Sequence, residues 1–207
     1  MIRQITWTDV SSAVALRAAR PLAVPCSQRA AVALVLREME EQLELLFVRR
    51  AEHADDPWSG HIAFPGGRAE SGDRDLLATA TREAAEETGL DLEGDGQLLG
   101  TLDEMQAVRS SGPIDLSIAP FVFRLRTHNP LFLGDEVVSA HWMRLSALVA
   151  PGARSTVDVS IDGVRHERPC LRIDGQVIWG LTYRMFEELA ERLRAIGAPA
   201  PGEPEVA

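Results

Sequence analysis

Residues 75–88 are predicted to form a helix, and the two sides of this helix differ sharply. One side carries Glu83, Glu86 and Glu87, which fall within an arc of about 100° around the helix axis. The other side carries mostly small residues, namely Leu77, Ala78, Thr81, Ala84, Ala85 and Thr88. Because small side chains allow close packing, we expect this side to lie on a sheet and the glutamates to point away from it.

The ends of this helix are marked by residues that commonly begin and end helices. Asp73 or Asp75 is expected to cap its N-terminus, and Gly89 is expected to end it. The glutamates are unfavourable in such a helix, since like charges three or four residues apart cost about 0.2–0.5 kcal/mol per pair. A divalent cation would relieve this repulsion, because Mg²⁺ prefers carboxylate oxygens. The alternative is a helix face that is simply solvated.

The other predicted elements suggest an α/β or α+β sandwich, in which helices flank a mixed sheet. Two Asp-Gly pairs, at 162–163 and 174–175, are typical of hairpin turns. The predicted elements are a helix at 8–19 capped by Thr8 or Asp9, strands at 30–37, 43–50, 97–102, 115–125 and 136–144, and a final helix near 181–195.

Composition limits the classes of protein to which the chain can belong. Its 207 residues suffice for one domain with a sizeable core. No apolar run approaches the roughly 18–20 residues that span a bilayer, and arginines interrupt the apolar N-terminus, so we expect neither a membrane span nor a signal peptide. The formal net charge of -10 disfavours long nucleic acids as partners. Cys26 and Cys170 match no metal-binding spacing and indicate reduced thiols in a cytoplasmic protein.

Residues 66–90 resemble the signature of the Nudix hydrolases. That signature has a glycine, five residues, Glu, seven residues, Arg-Glu, an aliphatic residue, any residue, Glu-Glu, any residue, Gly and an aliphatic residue. The matching positions hold Gly67, Arg82, Glu83, Ala84, Glu86, Glu87, Gly89 and Leu90. Asp73 stands at the first acidic position, one residue further from Arg82 than is usual.

The resemblance implies a Nudix-type α/β/α sandwich with a mixed central sheet. We expect an N-terminal helix and lead-in over 1–28, the Nudix domain over 29–196 and a disordered tail over 197–207. It also implies hydrolysis of a diphosphate linkage in a nucleoside diphosphate joined to another group, with Mg²⁺ or Mn²⁺ as cofactor. This superfamily often pairs through its sheets or end helices, so a homodimer is one expected form.

The resemblance also implies roles for individual residues. Glu86 and Glu87 would be the main ligands of the metal ion, with Glu83 as a further ligand or as the base, and the Gly67 carbonyl would complete the metal shell. Glu83 and Glu86 would both take part in catalysis. Arg82 would orient a glutamate. A later carboxylate would serve as the general base, with Glu136 as the first candidate and Glu104 as the second.

The segments LLFVRR, FPGG, SSGPIDLSIAPFV and VIWGLTYRMFEELAERL look like the coenzyme A pyrophosphatase branch of the superfamily. This branch cleaves coenzyme A and its derivatives to 3′,5′-ADP and (acyl-)4′-phosphopantetheine. Arg50, His61 and Ser111 are the candidate substrate-binding residues. Where the branch typically has a second arginine, this chain has acidic residues at 55–56. ADP-ribose, a nucleotide sugar or a (d)NTP are alternative substrates, and a non-catalytic sensing or binding domain is an alternative of another class.

Overall fold

The computed structural model describes residues 4–52, 60–109, 112–161 and 163–198, and within them the chain forms an α/β/α sandwich. The helices are α1 (Trp7–Ala15), α2 (Leu76–Thr88), α3 (Leu145–Val149) and α4 (Gly180–Ala195), with a 3-10 turn at Pro151–Ala153. The strands are β1 (Gln28–Met39), β2 (Gln42–Arg50), β3 (Ile62–Ala63), β4 (Gly66–Arg68), β5 (Gly96–Thr101), β6 (Met105–Arg109), β7 (Gly112–Leu125), β8 (Val137–Arg144), β9 (Arg154–Ile161), β10 (Val164–Ile173) and β11 (Gln176–Trp179).

The central sheet is mixed, as the sequence predicts. Its main order is β3-β2-β1-β7-β5, and β8, β4 and β6 pair with β2, β1 and β7 respectively. Strands β1 and β7 run parallel, and the other pairs in the sheet are antiparallel. Strands β9, β10 and β11 form a separate antiparallel sheet.

Alternate residues of β1 face two different cores, which places helices on both sides of the central sheet. Ala31 and Ala33 pack with Ala80 and Ala84 of α2. The intervening residues pack in a larger cluster with α1 and α4; the β1 members of that cluster are Val32, Leu34 and Leu36. The fold class predicted from the sequence is therefore confirmed.

Helix α1 is shorter than the predicted span 8–19, and its predicted cap is wrong. The cap is Thr6, whose hydroxyl accepts a hydrogen bond from the Asp9 backbone N–H, while the Asp9 carboxylate accepts one from the Thr6 N–H at 2.8 Å. The helix ends at Ala15, and a side chain of α4 binds carbonyls at this end and just beyond it. The guanidinium of Arg192 donates to the Val14 carbonyl at 3.0 Å and to the Arg17 carbonyl at 3.2 Å.

Two-residue turns join several strands. Asp174 and Gly175 have φ angles of 48° and 75° and connect β10 to β11, as the Asp-Gly pair predicts. Asp162 of the other pair lies outside the described residues. The turn between β1 and β2 consists of Glu40 and Glu41, which adopt φ angles of 50° and 61° without a glycine.

The short strands β3, β4 and β6 are absent from the predicted elements. Gly66 and Gly67 pair with Val32 and Ala31 of β1 and so extend the sheet. Both cysteines are free thiols. Within the part of the chain that the structure describes, no helix is long and apolar enough to cross a membrane.

A network of ion pairs joins the N-terminal segment to α4. Asp103 accepts hydrogen bonds from Arg20 at 2.8 Å and from Arg192 at 3.3 Å, and it also pairs with Arg17. Arg192 is buried and pairs with Glu188 at 2.7 Å. Although burial by itself raises the pKa of Asp103, the hydrogen bonds from Arg17 and Arg20 hold that pKa below its ordinary value.

We predict that Asp103→Asn lowers the free energy of unfolding by about 2 kcal/mol at pH 7, because the buried Arg192 loses one of its two counter-charges. The folded-state pKa of Asp103 is depressed, so its stabilisation is fully present above its unfolded pKa of about 3.9 and is lost as the pH falls below that value. Urea unfolding at pH 7 and at pH 3 measures the difference. Glu191→Gln, on the exposed face of α4, is the control. A difference in unfolding free energy between the wild type and Asp103→Asn that stayed constant down to pH 3 would contradict the prediction.

Candidate active site

The carboxylates of Glu83 and Glu87 lie between α2 and β4, where two glycines allow close approach. The Gly66 N–H donates to Glu87 Oε2 at 3.0 Å. A Cβ at Gly67 would stand 2.6 Å from Glu83 Cδ, and one at Gly66 would stand 2.6 Å from the Cα of Val32. Glycine is therefore required at Gly66, where a Cβ would meet the β1 backbone, whereas a Cβ at Gly67 would displace only the flexible end of Glu83.

The expectation that all three glutamates point away from the packing side of α2 is wrong. Glu87 is 4% exposed. The side chain of Glu83 is 14% exposed and that of Glu86 is 59% exposed. Because Gly67 has no Cβ, β4 leaves room for the Glu83 carboxylate beneath the helix, and the Gly66 N–H binds the Glu87 carboxylate there. Glu86 remains on the outside.

Arg82 joins the loop before α2 to the glutamates. Its Nε donates to Asp73 Oδ1 at 3.0 Å, and its Nη1 lies 3.0 Å from Glu83 Oε1 and 2.9 Å from Glu86 Oε2. Its Nη2 donates to the carbonyl of Arg68 at 3.0 Å. The predicted role of Arg82 as a residue that orients a glutamate agrees with these contacts.

The two aspartates that were candidates for the cap of α2 have different roles. Asp75 is the cap and accepts a hydrogen bond from the Ala78 N–H at 2.8 Å. Asp73 instead accepts hydrogen bonds from Arg82 and from the Thr79 hydroxyl. The hydrogen bond from Arg82 is the main reason that the pKa of Asp73 lies well below its usual range.

The Glu83 and Glu87 carboxylates have too little positive charge around them. The pKa of Glu87 is raised to about 7, mainly by burial and in smaller part by the charges of Glu83 and Glu136. The Gly66 N–H and Arg50, whose Nη1 is 3.7 Å from Glu87 Oε1, oppose this rise only in part. Burial is also the main cause of the raised pKa of Glu83, although Arg82 lowers it.

The charge of Glu136 also acts on this pair of carboxylates, because it contributes to the raised pKa values of both Glu83 and Glu87. Glu136 is an exposed residue, and its backbone carbonyl accepts a hydrogen bond from the Ala51 N–H at 2.8 Å, which fixes the residue at the end of β2. An exposed carboxylate within electrostatic range of such a pair can accept a proton from a water molecule.

The cluster fits a divalent cation. Hard cations such as Mg²⁺ bind carboxylate and carbonyl oxygens, and a cation would compensate the charge that burial makes unfavourable at Glu83 and Glu87. Within residues 4–52, 60–109, 112–161 and 163–198, no three His, Cys, Asp or Glu side chains form a ready-made metal cage. This is compatible with Mg²⁺, which usually keeps several waters and takes only one or two carboxylates.

The other predicted site residues lie in different places. Arg50 is at the cluster, beside Glu87. The His61 ring packs edge-on against Trp179, with ring centroids 4.8 Å apart. Ser111 lies outside the described residues, as do residues 55–56. Glu104, the second candidate base, accepts a hydrogen bond from Arg29 at 2.7 Å and borders a separate cavity of about 500 Å³.

Comparison with known proteins agrees with this fold. The NUDIX domain model matches residues 27–161, so the chain belongs to the Nudix family and is a Nudix hydrolase, a class that acts on nucleoside diphosphate compounds. A curated relative from Yersinia pestis (strain Pestoides F), described as an uncharacterized Nudix hydrolase NudL, is 29% identical over 150 residues, which are 72% of each chain. The crystal structure of a MutT/nudix family protein from Enterococcus faecalis superimposes with a TM-score of 0.51 at 18% identity, over 99% of this chain and 74% of that one.

We predict that alanine at the two glycines of β4 affects different properties, stability at Gly66 and cation binding at Gly67. Gly66→Ala should lower the free energy of unfolding by about 2 kcal/mol or more, because the new Cβ meets the β1 backbone and the residue has a φ of 156°. Gly67→Ala should leave stability nearly unchanged, because its Cβ meets the flexible end of Glu83, but it should weaken Mn²⁺ binding.

Denaturant unfolding and calorimetric Mn²⁺ titration measure the two effects. Gly72→Ala is the control, because Gly72 lies in the loop between β4 and α2 and has open space around its Cβ position. Full Mn²⁺ affinity in Gly67→Ala would contradict the placement of Glu83 at the cation site.

We also predict that Glu87→Gln stabilises the metal-free protein at high pH. Folding raises the pKa of Glu87 from 4.5 to about 7, so its unfavourable contribution is absent below pH 4.5 and develops fully as the pH rises above 7. At pH 8.5 in EDTA the variant should exceed the wild type in unfolding free energy by up to about 3 kcal/mol.

Thermal unfolding at pH 5 and pH 8.5 measures this difference, which should be smaller at pH 5. Glu86→Gln, one position away and exposed, should show no such dependence on pH. Added Mg²⁺ should stabilise the wild type more than Glu87→Gln. A wild type that is more stable than the Glu87 variant in EDTA at pH 8.5 would contradict the prediction.

Proposed function

We propose that this protein is a Mg²⁺-dependent diphosphatase that hydrolyses coenzyme A or its acyl derivatives to 3′,5′-ADP and (acyl-)4′-phosphopantetheine. The observation that supports the diphosphatase activity is the burial of Glu83 and Glu87 against Gly66 and Gly67, with Glu136 beside them. Such a cluster is costly without a cation, and a diphosphate is the kind of anionic substrate that a bound cation attracts.

The cation site would consist of the carboxylates of Glu83 and Glu87, with Glu86 and the Gly67 carbonyl as further ligands. A divalent cation supplies charge neutralisation to the diphosphate and lowers the pKa of a water molecule. Arg82 holds Glu83 and Glu86 in place through its Nη1. The Gly66 N–H fixes Oε2 of Glu87, and Oε1 lies 3.7 Å from Nη1 of Arg50.

Glu136 is the better of the two candidate bases. Its charge shifts the pKa values of both Glu83 and Glu87, whereas Glu104 pairs with Arg29 and accepts a hydrogen bond from the Leu22 N–H. In our proposal, the Glu136 carboxylate accepts a proton from the attacking water as it bonds to phosphorus. The bond between phosphorus and the bridging oxygen then breaks, and the leaving phosphate carries the displaced negative charge.

The choice of coenzyme A as substrate rests on the sequence segments that resemble the coenzyme A pyrophosphatase branch. Two of them contribute residues around the cluster: Arg50 follows LLFV at the end of β2, and FPGG supplies both glycines of β4. We also propose a cytoplasmic location, which the two free thiols support. A homodimer stays a prediction.

We predict that Glu83→Gln and Glu87→Gln each abolish Mg²⁺-dependent hydrolysis without unfolding the protein. Glu136→Gln should lower kcat by about 10²- to 10⁴-fold, the range typical for loss of a general base. The assay uses coenzyme A, acyl-coenzyme A, ADP-ribose, nucleotide sugars, dinucleoside polyphosphates and dNTPs, each with Mg²⁺ and with Mn²⁺. Glu167→Gln, on the exposed part of β10, is the control.

The outcomes separate the parts of the proposal. Full turnover in both the Glu83 and Glu87 variants would contradict the cation site. Turnover confined to ADP-ribose would exclude coenzyme A and leave the diphosphatase activity intact. Binding of the panel compounds without any turnover would favour a non-catalytic sensing domain.

A further inference from the structure

An exposed aromatic ring lies at the end of α2 that carries the carboxylates. Phe132 is 71% exposed, the second-highest value among the large hydrophobic residues that are exposed in the described part of the chain. Its backbone N–H donates to the Thr88 carbonyl at 2.9 Å, and the Gly134 N–H donates to the Glu87 carbonyl at 3.2 Å. Two hydrogen bonds therefore fasten this segment to the last turn of α2.

The backbone around Phe132 is closely packed, although its ring is exposed. A Cβ added at Gly89 would lie 3.0 Å from Phe132 Cβ and 3.3 Å from Phe132 Cδ2. A Cβ at Gly134 would collide with the Glu86 carbonyl and lie 3.3 Å from its carbon atom. The two glycines allow the segment to lie directly on the helix end, so the backbone and Cβ of Phe132 are held against α2.

The segment that carries Phe132 leads to the proposed base and contacts the helix that carries the proposed cation ligands. Glu136, the proposed base, follows Phe132 by four residues. The carbonyl that binds the Phe132 N–H belongs to Thr88, which directly follows Glu87, a proposed cation ligand. The ring is thus carried by the segment that leads into Glu136, and this segment rests on the last turn of the helix that carries Glu83 and Glu87. In a nucleoside diphosphate, the planar base is likewise attached a short distance from the phosphates.

From these contacts we propose that Phe132 is a stacking platform for the nucleobase of the substrate, and thus a binding residue that the Nudix signature does not include. The inference rests on the proposed function, because it takes the diphosphate to lie at the carboxylate cluster. An aromatic ring that is fixed before binding loses little conformational entropy, and stacking with a base covers the apolar surface that solvent now contacts.

The charges around the ring favour a nucleotide over a second copy of the chain. Exposed Glu86, Asp135 and Glu136 flank the segment. In a two-fold contact the same patch would face itself, and these carboxylates would repel their own counterparts. A nucleotide brings a planar base for the ring, and a cation at Glu83 and Glu87 offsets the charge of its phosphates.

The experiment compares two probes that differ in the nucleoside. Calorimetry in the presence of Mg²⁺ measures the Kd of ADP and of inorganic pyrophosphate for the wild type, Phe132→Ala, Phe132→Leu and Phe132→Tyr. Loss of a stacked aromatic ring should weaken ADP binding by about 5- to 100-fold. Pyrophosphate should bind equally to all four proteins. Phe132→Tyr should keep the wild-type affinity for ADP, whereas Phe132→Leu should behave like the alanine variant.

The control is Val164→Ala, which removes an exposed apolar side chain from β10 and should leave both affinities unchanged. In turnover assays, the effect of Phe132→Ala should appear in KM much more than in kcat. An unchanged ADP affinity, an equal loss of ADP and pyrophosphate binding, or an effect confined to dissociation of a dimer would each overturn the proposal.

The experiments can reject the proposed stacking platform and the proposed hydrolytic activity independently. If the wild type hydrolyses no compound of the panel but Phe132→Ala still loses ADP affinity selectively, the platform stands and the proposed function falls. If Glu83→Gln abolishes turnover while Phe132→Ala binds ADP like the wild type, the function stands and the platform falls.

Discussion

The close approach of α2 to β4 is the constraint on which the site depends. Ala80 and Ala84 pack against alanines of β1, and these small side chains let the helix come near the sheet. At the same place, Gly66 allows β4 to lie close to β1, and Gly67 removes the Cβ that would occupy the space of the Glu83 carboxylate. Together these residues place two charged side chains beneath a helix, where leucine or valine would otherwise be expected.

In this cluster, the arrangement that serves function lowers the stability of the fold. The glutamates repel one another, and burial makes ionisation of Glu87 unfavourable. Arg82 is the nearest strong counter-charge to Glu83, but it also binds Asp73 and the Arg68 carbonyl, so its charge is shared. Proteins commonly lose stability at functional sites in this way, because a group that is fully satisfied by the protein has little left to offer a ligand.

The sequence predicts the parts of this structure that depend on local chemistry. The end of α2 at Gly89 and the turn at Asp174 follow from residue preferences, and the order of elements leads to the correct sandwich. Burial of Glu87 and pairing of β4 with β1 could not be predicted, since both arise from contacts between distant segments. The Glu40–Glu41 turn lacks the glycine that usually marks its type.

The C-terminal segment supports the site although it lies beyond the matched residues 27–161. Trp179 packs on His61, and Gln176 accepts a hydrogen bond from Arg49, whose Nη1 also donates to the Gly60 carbonyl at 3.1 Å. Since β3 begins directly after His61 and leads into β4, these contacts fix the entry to the strand that carries both glycines. The small second sheet thus helps to fix the backbone of the strand that lies beside the carboxylate cluster.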